Sequence, residues 1–98
     1  MDNNAISQRY QKRPIIIDAF QLTDEQRRAG GPFPDWALSA LGMSTTEKIR
    51  NSERIYVNTP EGKMYVNAGD YIIRGVKGEV YPCKPDIFEA SYDLVTGG

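Results

Sequence analysis

The sequence predicts an α+β fold, with a compact antiparallel β-sheet or partly closed barrel and one or two short helices. From residue 53 onward, apolar and polar side chains alternate in short runs separated by turn residues, which is typical of an antiparallel meander. Two segments that begin with Pro-Asp, at Pro34 and Pro85, carry helix-start signals. A chain of 98 residues can bury one core. We therefore expect a single domain over residues 13–98, preceded by a polar, flexible arm over residues 1–12.

The first half of the chain is predicted to contain a strand, a charged loop and a short helix. Residues 14–22, PIIIDAFQL, are rich in β-branched and aromatic side chains, which predicts a largely buried strand. Residues 23–34 are predicted to be a mobile loop, in which an acidic pair opens one helical turn before Gly-Gly stops it. A helix is then expected over residues 35–41, ending at Gly42 and packed on the sheet through Trp36.

The second half is predicted to be a meander followed by a short helix. The period-two pattern predicts a β-hairpin over residues 54–66 and two further strands, YIIR and EVY, around the turn GVKG. Pro82 and Pro85 are expected to end the meander, because proline donates no hydrogen bond to a ladder. One or two helical turns from Pro85 and a closing strand over residues 92–95, paired with the first strand, complete the expected fold. For residues 44–52, the sequence does not decide between an extension of the helix and a loop.

Composition argues against several classes of protein. Twelve Lys and Arg against thirteen Asp and Glu argue against a binder of duplex nucleic acid. No apolar run reaches the length of a membrane span and the amino end lacks a secretion signal, so a cytoplasmic protein is expected. With no histidine and one cysteine, the chain lacks the usual catalytic pairs and zinc ligands, so we expect no enzyme, metal or other cofactor. The cysteine, Cys83, is predicted to fill a small space, although nearby cations would lower its pKa if it were exposed.

The stretch GDYIIRGVKGEVYPCKPDIF concentrates basic and aromatic side chains around two glycines. Guanidinium and ammonium groups, glycine amides and aromatic rings are the groups that bind phosphates and stacked bases. We therefore predict one anion-binding site, called here the basic-turn site, formed by Arg74, Gly75, Lys77, Gly78, Tyr81 and Lys84. The same residues also fit an ordinary hairpin turn, in which a glycine has positive φ and the lysine points into water.

The basic-turn site requires its cations to lie close together. The prolines that flank Lys84 are expected to bring it back to the end of the sheet where Arg74 and Lys77 lie. Because three close cations repel one another, an anion or the nearby carboxylates of Glu79 and Asp86 must offset them. Paired carboxylates, Glu79 with Asp86 or Asp70 with Glu79, could share acid and base work, but acidic residues at strand edges and turns are usually solvated or paired with a lysine.

Six tyrosines in so short a chain suggest a binding surface. In the predicted hairpin, Tyr56 and Tyr65 alternate with the aliphatic residues along the strands, so they lie on the opposite face of the hairpin. That face is expected to display aromatic rings outward. An exposed aromatic face of this kind indicates a partner protein or a symmetric homo-oligomer.

The run AGDYIIRGVKGEVYPCKPDIFEASY, together with KRPIIIDAFQL and PDWALSAL, resembles a group of small uncharacterised proteins encoded by tailed phages and prophages. The resemblance covers residues 12–95. Ala68 stands where that group commonly has proline before Gly-Asp, and Leu22 stands where it commonly has tryptophan after Phe-Gln. The resemblance implies a phage origin and action in the host cytoplasm, and it names no mechanism.

Phage origin and the lack of catalytic groups favour a non-catalytic accessory binding protein. The leading hypothesis is that the basic-turn site sequesters an anionic nucleotide signal of host anti-phage defence. The alternative is a protein-interaction module that inhibits a host protein through the tyrosine-rich sheet face. A third hypothesis, from the enzyme class, uses Glu79 or Asp86 as a general base on a nucleotide.

Overall fold

Two small antiparallel sheets and three short helices make up the described part of the chain. The computed structural model describes residues 7–11, 14–44 and 54–95. In chain order the elements are β1 (Asp18–Gln21), α1 (Asp24–Ala29), α2 (Asp35–Leu38), β2 (Leu41–Met43), β3 (Ile55–Thr59), β4 (Gly62–Val66), β5 (Tyr71–Arg74), β6 (Val80–Cys83) and α3 (Pro85–Ser91). Sheet A has the strand order β1-β5-β6, and sheet B has the order β2-β3-β4. The predicted α+β class is confirmed, whereas two separate sheets replace the single sheet, and no closed barrel forms in these residues.

The core lies between the two sheets. Ile55, Val57 and Val66 of sheet B are buried together with Leu22 and Ile72. Partly buried side chains complete the cluster: Phe20, Phe33, Trp36, Ala40, Leu41, Met43 and Val80. Strand β6 contacts both β3 and β4, which joins the sheets. Each fully buried aliphatic side chain contributes about 1.5–3 kcal/mol, so this cluster is the main source of stability.

The opposite face of sheet A is covered by α3. Because Ile72 faces the core, strand alternation places Tyr71 and the buried Ile73 on the other face. The ring of Tyr71 stacks on Phe88 of α3 with 3.8 Å between centroids, and Phe88 stacks on Tyr92 at 5.0 Å. The helix predicted from the second Pro-Asp pair is thus confirmed, and it packs on sheet A through its aromatic residues.

The first half of the loop predicted over residues 23–34 forms α1, which begins at Asp24 and stops at Gly30 as predicted but is longer than the single turn that was expected. The Thr23 hydroxyl accepts a hydrogen bond from the Gln26 amide at 3.0 Å, and the Gln26 side-chain oxygen accepts one from the Thr23 amide at 2.9 Å. This reciprocal pair is a capping box, which stabilises the helix start. Gly30 ends the helix with φ 75°. The Arg54 guanidinium donates to two carbonyls of the last turn at 3.3 and 3.2 Å, which ties α1 to the start of β3.

Helix α2 is shorter than predicted, because the chain enters strand β2 at Leu41. Gly42, which was expected to end the helix, instead pairs with Tyr56 in the ladder between β2 and β3. A Cβ atom on Gly42 would overlap the ring of Tyr56. The glycine is therefore needed for close approach of this ring to β2, and not for helix termination.

Two segments predicted as strands are not strands. Asp18 pairs with Arg74, the last residue of β5, so residues 14–17 run past the end of β5 and lie beside no strand of the described chain. Residues 92–95 also form no strand and do not pair with β1. The predicted burial of the first segment is therefore wrong as well: Ile16 is 79% exposed.

Pro82 does not end the meander but lies inside β6, opposite Ile72. The Gly75 amide donates to the Glu79 carbonyl at 2.8 Å, and alternation along this ladder makes the Ile72–Pro82 pair a non-hydrogen-bonded one. Because β6 is an edge strand, the missing N–H of Pro82 costs no ladder bond.

The predicted arm, residues 1–12, and the open segment, residues 44–52, lie mostly outside the described ranges. Residues 7–11 are exposed and belong to no helix or strand.

Candidate functional site

Arg74 is engaged with the aromatic cluster at the core rather than with an open site. Its guanidinium forms an ion pair with Asp18, its ladder partner on β1. The same group lies over the ring of Trp36, 5.3 Å from the centroid, and Trp36 meets Phe20 edge to face at 5.7 Å. Both the charge and the flat face of Arg74 are therefore used to hold β1, β5 and α2 together.

One backbone amide of the basic turn, that of Lys77, is bound by a side chain of the turn itself. The Glu79 carboxylate accepts a hydrogen bond from the Lys77 amide at 3.0 Å. A Cβ atom on Gly75 would overlap this carboxyl group, and Gly78 has φ 82°. Gly75 therefore leaves room for the Glu79 carboxylate, and Gly78 allows the hairpin turn. The Glu79 carboxylate takes the hydrogen bond of a turn amide that was expected to bind an anion. The side chain of Lys77 is exposed, as the hairpin-turn alternative predicts.

Lys84 lies at the far end of sheet A from Lys77, so the expected cluster of three cations does not form. Strand β6 continues through Pro82 and forms four residue pairs with β5. The first pair, Val80 with Arg74, lies beside the turn, and the last pair, Cys83 with Tyr71, lies at the opposite end of the two strands. There the Lys84 ammonium donates to the Asp70 carboxylate at 3.2 Å. Ligand binding by the individual residues of the basic-turn site stays a prediction.

Tyr81 and Cys83 lie on the side of β6 that faces α3. Burial raises the pKa of Tyr81, and the neighbouring Tyr92 raises it further. Burial also raises the pKa of the Cys83 thiol, and the carboxylates of Asp86 and Asp70 add to the increase. The lowering of this pKa, which was expected only for an exposed thiol, does not occur, because burial and the two carboxylates raise the pKa.

The outward positions of sheet B form a second candidate site, called here the tyrosine face. It comprises Gly42, Tyr56, Asn58, Lys63 and Tyr65. Tyr56 and Tyr65 are ladder partners, and their rings meet edge to face with 5.8 Å between centroids. The Lys63 ammonium lies 4.6 Å from the centroid of the Tyr56 ring. The prediction that both tyrosines occupy the face opposite to the core agrees with this register.

Sequence reasoning missed the residues that pair with the predicted cations. Asp18 and Asp70 are distant from their cationic partners in sequence, and only the strand register brings each pair together. Glu79 was considered as a counter-charge, and its proximity to Lys77 in the sequence was an available signal for a bond within the turn. Trp36 was predicted to pack on the sheet, and its contact with Arg74 was not anticipated.

Comparisons with known proteins give no relative from which a function can be transferred. No family model, no curated protein and no solved structure matches the chain. Within residues 7–11, 14–44 and 54–95, no group of three or more potential ligand side chains is placed to hold a metal ion. None of the helices in those ranges has the length and apolar character needed to cross a membrane.

Proposed function

We propose that the chain is a non-catalytic binding protein that engages a partner protein through the tyrosine face. One observation carries the proposal: Tyr65 is 45% exposed beside the ring of Tyr56, on a sheet face where Asn58 and Lys63 are also exposed. Tyrosine is enriched among the interface residues that contribute most binding free energy, because its large ring and polar hydroxyl sit on a side chain with few rotatable bonds.

The tyrosine pair is held in place within the free protein. The ring of Tyr56 lies against the glycine position of β2, meets Tyr65 edge to face and carries the Lys63 ammonium over its ring. Edge-to-face pairing and a cation over a ring each contribute about 0.5–1 kcal/mol. Binding would therefore cost little side-chain entropy at this surface, which favours affinity.

The charge of the tyrosine face favours an acidic partner surface. Lys63 is the one charged residue at the outward positions of sheet B, and the remaining positions are glycine, asparagine and tyrosine. We propose that the partner presents an acidic patch beside an apolar surface that accepts the ring of Tyr65. The resemblance to phage proteins is the reason for proposing a host protein whose activity is blocked.

The nucleotide-binding hypothesis has less support. Arg74 and Lys84 already pair with aspartates, and the turn amide of Lys77 already binds a glutamate. A nucleotide phosphate would have to displace these carboxylates, which offsets part of its binding free energy. Nucleotide recovered in stoichiometric amount from heat-denatured protein would revive the hypothesis.

Photo-crosslinking tests the proposal directly. A benzoylphenylalanine replaces Tyr65 in protein expressed in bacterial cells, and a matched variant carries it at Ile87, which is exposed on α3, the helix that packs on sheet A. We expect a discrete crosslinked partner from position 65 and not from position 87. Crosslinks to a second copy of the chain would instead assign the face to the predicted homo-oligomer, which sedimentation would confirm.

A further inference from the structure

The outer edge of β1 is open to another strand. Within the described residues, β1 pairs only with β5, at the edge of sheet A. The Leu22 amide donates to the Asp70 carbonyl at 2.8 Å, so these two residues are a hydrogen-bonded pair. In an antiparallel ladder every second pair is hydrogen-bonded, so the amide and carbonyl groups of Ala19 and Gln21 point away from β5. Unpaired groups of this kind are the template on which a partner strand adds to a sheet.

An apolar trough runs beside this edge. A cavity of about 640 Å³ lies between residues 15–19 and residues 92–95, in the place where the closing strand was expected. Its apolar lining includes Ile15, Ile16, Phe88, Leu94 and Val95. Ile16, Leu94 and Val95 are mostly exposed, so the trough offers apolar area that a bound segment would bury.

A second cavity continues the trough past the turn between β5 and β6. Its volume is about 520 Å³, and Ile15, Ile17, Tyr92 and Asp93 line both cavities. Tyr81 adds a ring and a hydroxyl group to the wall of the second cavity. The two cavities therefore adjoin each other along these shared residues, near the amino-terminal end of β1.

Within the described ranges, every charged residue that lines the trough is acidic. These residues are Asp18, Glu79, Glu89 and Asp93. Asp18 is paired with Arg74 and Glu79 binds the turn amide, whereas Glu89 and Asp93 form no ion pair with a described residue. Among the residues that the structure describes, no lysine or arginine lines either cavity. The trough is thus complementary to a segment that carries positive charge.

We propose that this trough binds an extended, basic segment of a partner protein, which adds as a strand to the open edge of β1. Main-chain hydrogen bonds to Ala19 and Gln21 hold the segment in register. Alternate apolar side chains of the segment lie on the isoleucines and Phe88, and a lysine or arginine faces Glu89 and Asp93. This surface belongs to sheet A and is independent of the tyrosine face on sheet B.

Selection from a displayed library of random 12-residue peptides tests the inference. Selection on the whole chain is expected to enrich peptides with β-branched or aromatic residues at alternate positions and at least one lysine or arginine. The strongest peptide is then labelled, and its affinity is measured by fluorescence anisotropy. The double variant Glu89→Lys/Asp93→Lys is expected to weaken its binding at least tenfold, and added salt is expected to weaken binding to the wild type.

Two variants at position 19 separate strand addition from charge attraction, and a third variant, at position 16, tests the trough itself. Ala19→Pro removes an outward amide and no ladder bond, so it is expected to weaken binding at least tenfold, whereas Ala19→Val, which keeps the amide, is not. Ile16→Lys changes an exposed side chain, so the fold is retained even if proline is not tolerated at position 19. The inference is overturned if no peptide is enriched, if the enriched peptides are acidic or uncharged, or if Ile16→Lys and the double variant bind as the wild type does. A dimer that Ile16→Lys dissociates would also overturn it, since a second copy would then occupy the trough.

Discussion

The guanidinium of Arg74 lies 5.3 Å from the ring centroid of Trp36 while it also pairs with Asp18 on the neighbouring strand. Position 74 therefore joins three elements, namely β5, β1 and α2. This arrangement gives the arginine a structural role, in contrast to its expected role as an anion ligand at the end of a strand.

Replacement of Arg74 by alanine is expected to lower the free energy of unfolding by about 1 kcal/mol, because a solvent-screened ion pair and a cation over a ring are lost together. Urea denaturation measures the change. Lys77→Ala is the matched control and is expected to change stability by less than about 0.5 kcal/mol, since its side chain is exposed in the turn. Equal stabilities for the wild type and Arg74→Ala would argue that the contact with Trp36 contributes nothing.

Trp36→Ala is expected to cost about 3 kcal/mol or more, because the indole packs on the core cluster and meets Phe20 edge to face at 5.7 Å. Leu38 lies in the same helix and is 54% exposed, so Leu38→Ala is the control and is expected to cost little. Thermal unfolding of the two variants distinguishes them. An unchanged melting temperature for Trp36→Ala would contradict the packing of α2 on the sheets.

Gly42→Ala is expected to displace the ring of Tyr56 and to cost about 1 kcal/mol, because the new methyl group would overlap that ring. A double-mutant cycle with Tyr56→Ala isolates the effect. In the Tyr56→Ala background, alanine at position 42 should no longer destabilise the protein. If the cost of Gly42→Ala were the same in both backgrounds, the overlap with Tyr56 would not be its cause.

The raised pKa of Tyr81 predicts a loss of stability at alkaline pH. Burial and Tyr92 raise this pKa above its ordinary value, so the folded state holds the phenolic proton more tightly than the unfolded chain does. The free energy of unfolding therefore falls as pH rises from the ordinary tyrosine pKa, about 10, towards the raised one. Urea denaturation between about pH 8 and 11 should show a steeper fall for the wild type than for Tyr81→Phe. If the free energy of unfolding fell equally with pH in the wild type and in Tyr81→Phe, Tyr81 would not contribute to the loss of stability at alkaline pH.

Local sequence patterns were sufficient where short-range contacts determine the structure. The hairpin of β3 and β4 follows from alternation and a glycine turn, and α3 follows from Pro85 at its start. The start and the stop of α1 were also predicted, whereas its length was underestimated, because the capping box of Thr23 and Gln26 was not considered.

Contacts between distant strands account for the remaining differences. Alternation alone does not reveal that β5 pairs with β1 while the hairpin pairs with β2, so the two-sheet division was not predictable from the pattern. The separation of Lys84 from Lys77 has the same origin, because the register of β5 with β6 decides which end each lysine occupies. Tyr56 and Tyr65 were predicted together correctly, since a hairpin register is set by its own turn.

The most direct test of the proposed function is the affinity of the partner captured at position 65, measured by isothermal titration with purified proteins. Tyr65→Ala is expected to weaken binding by roughly 2 kcal/mol, about thirtyfold, as for an interface anchor, while Ile87→Ala binds as the wild type does. Equal affinities for the wild type and Tyr65→Ala, or an equal loss in Ile87→Ala, would contradict the assignment of the tyrosine face as the binding surface.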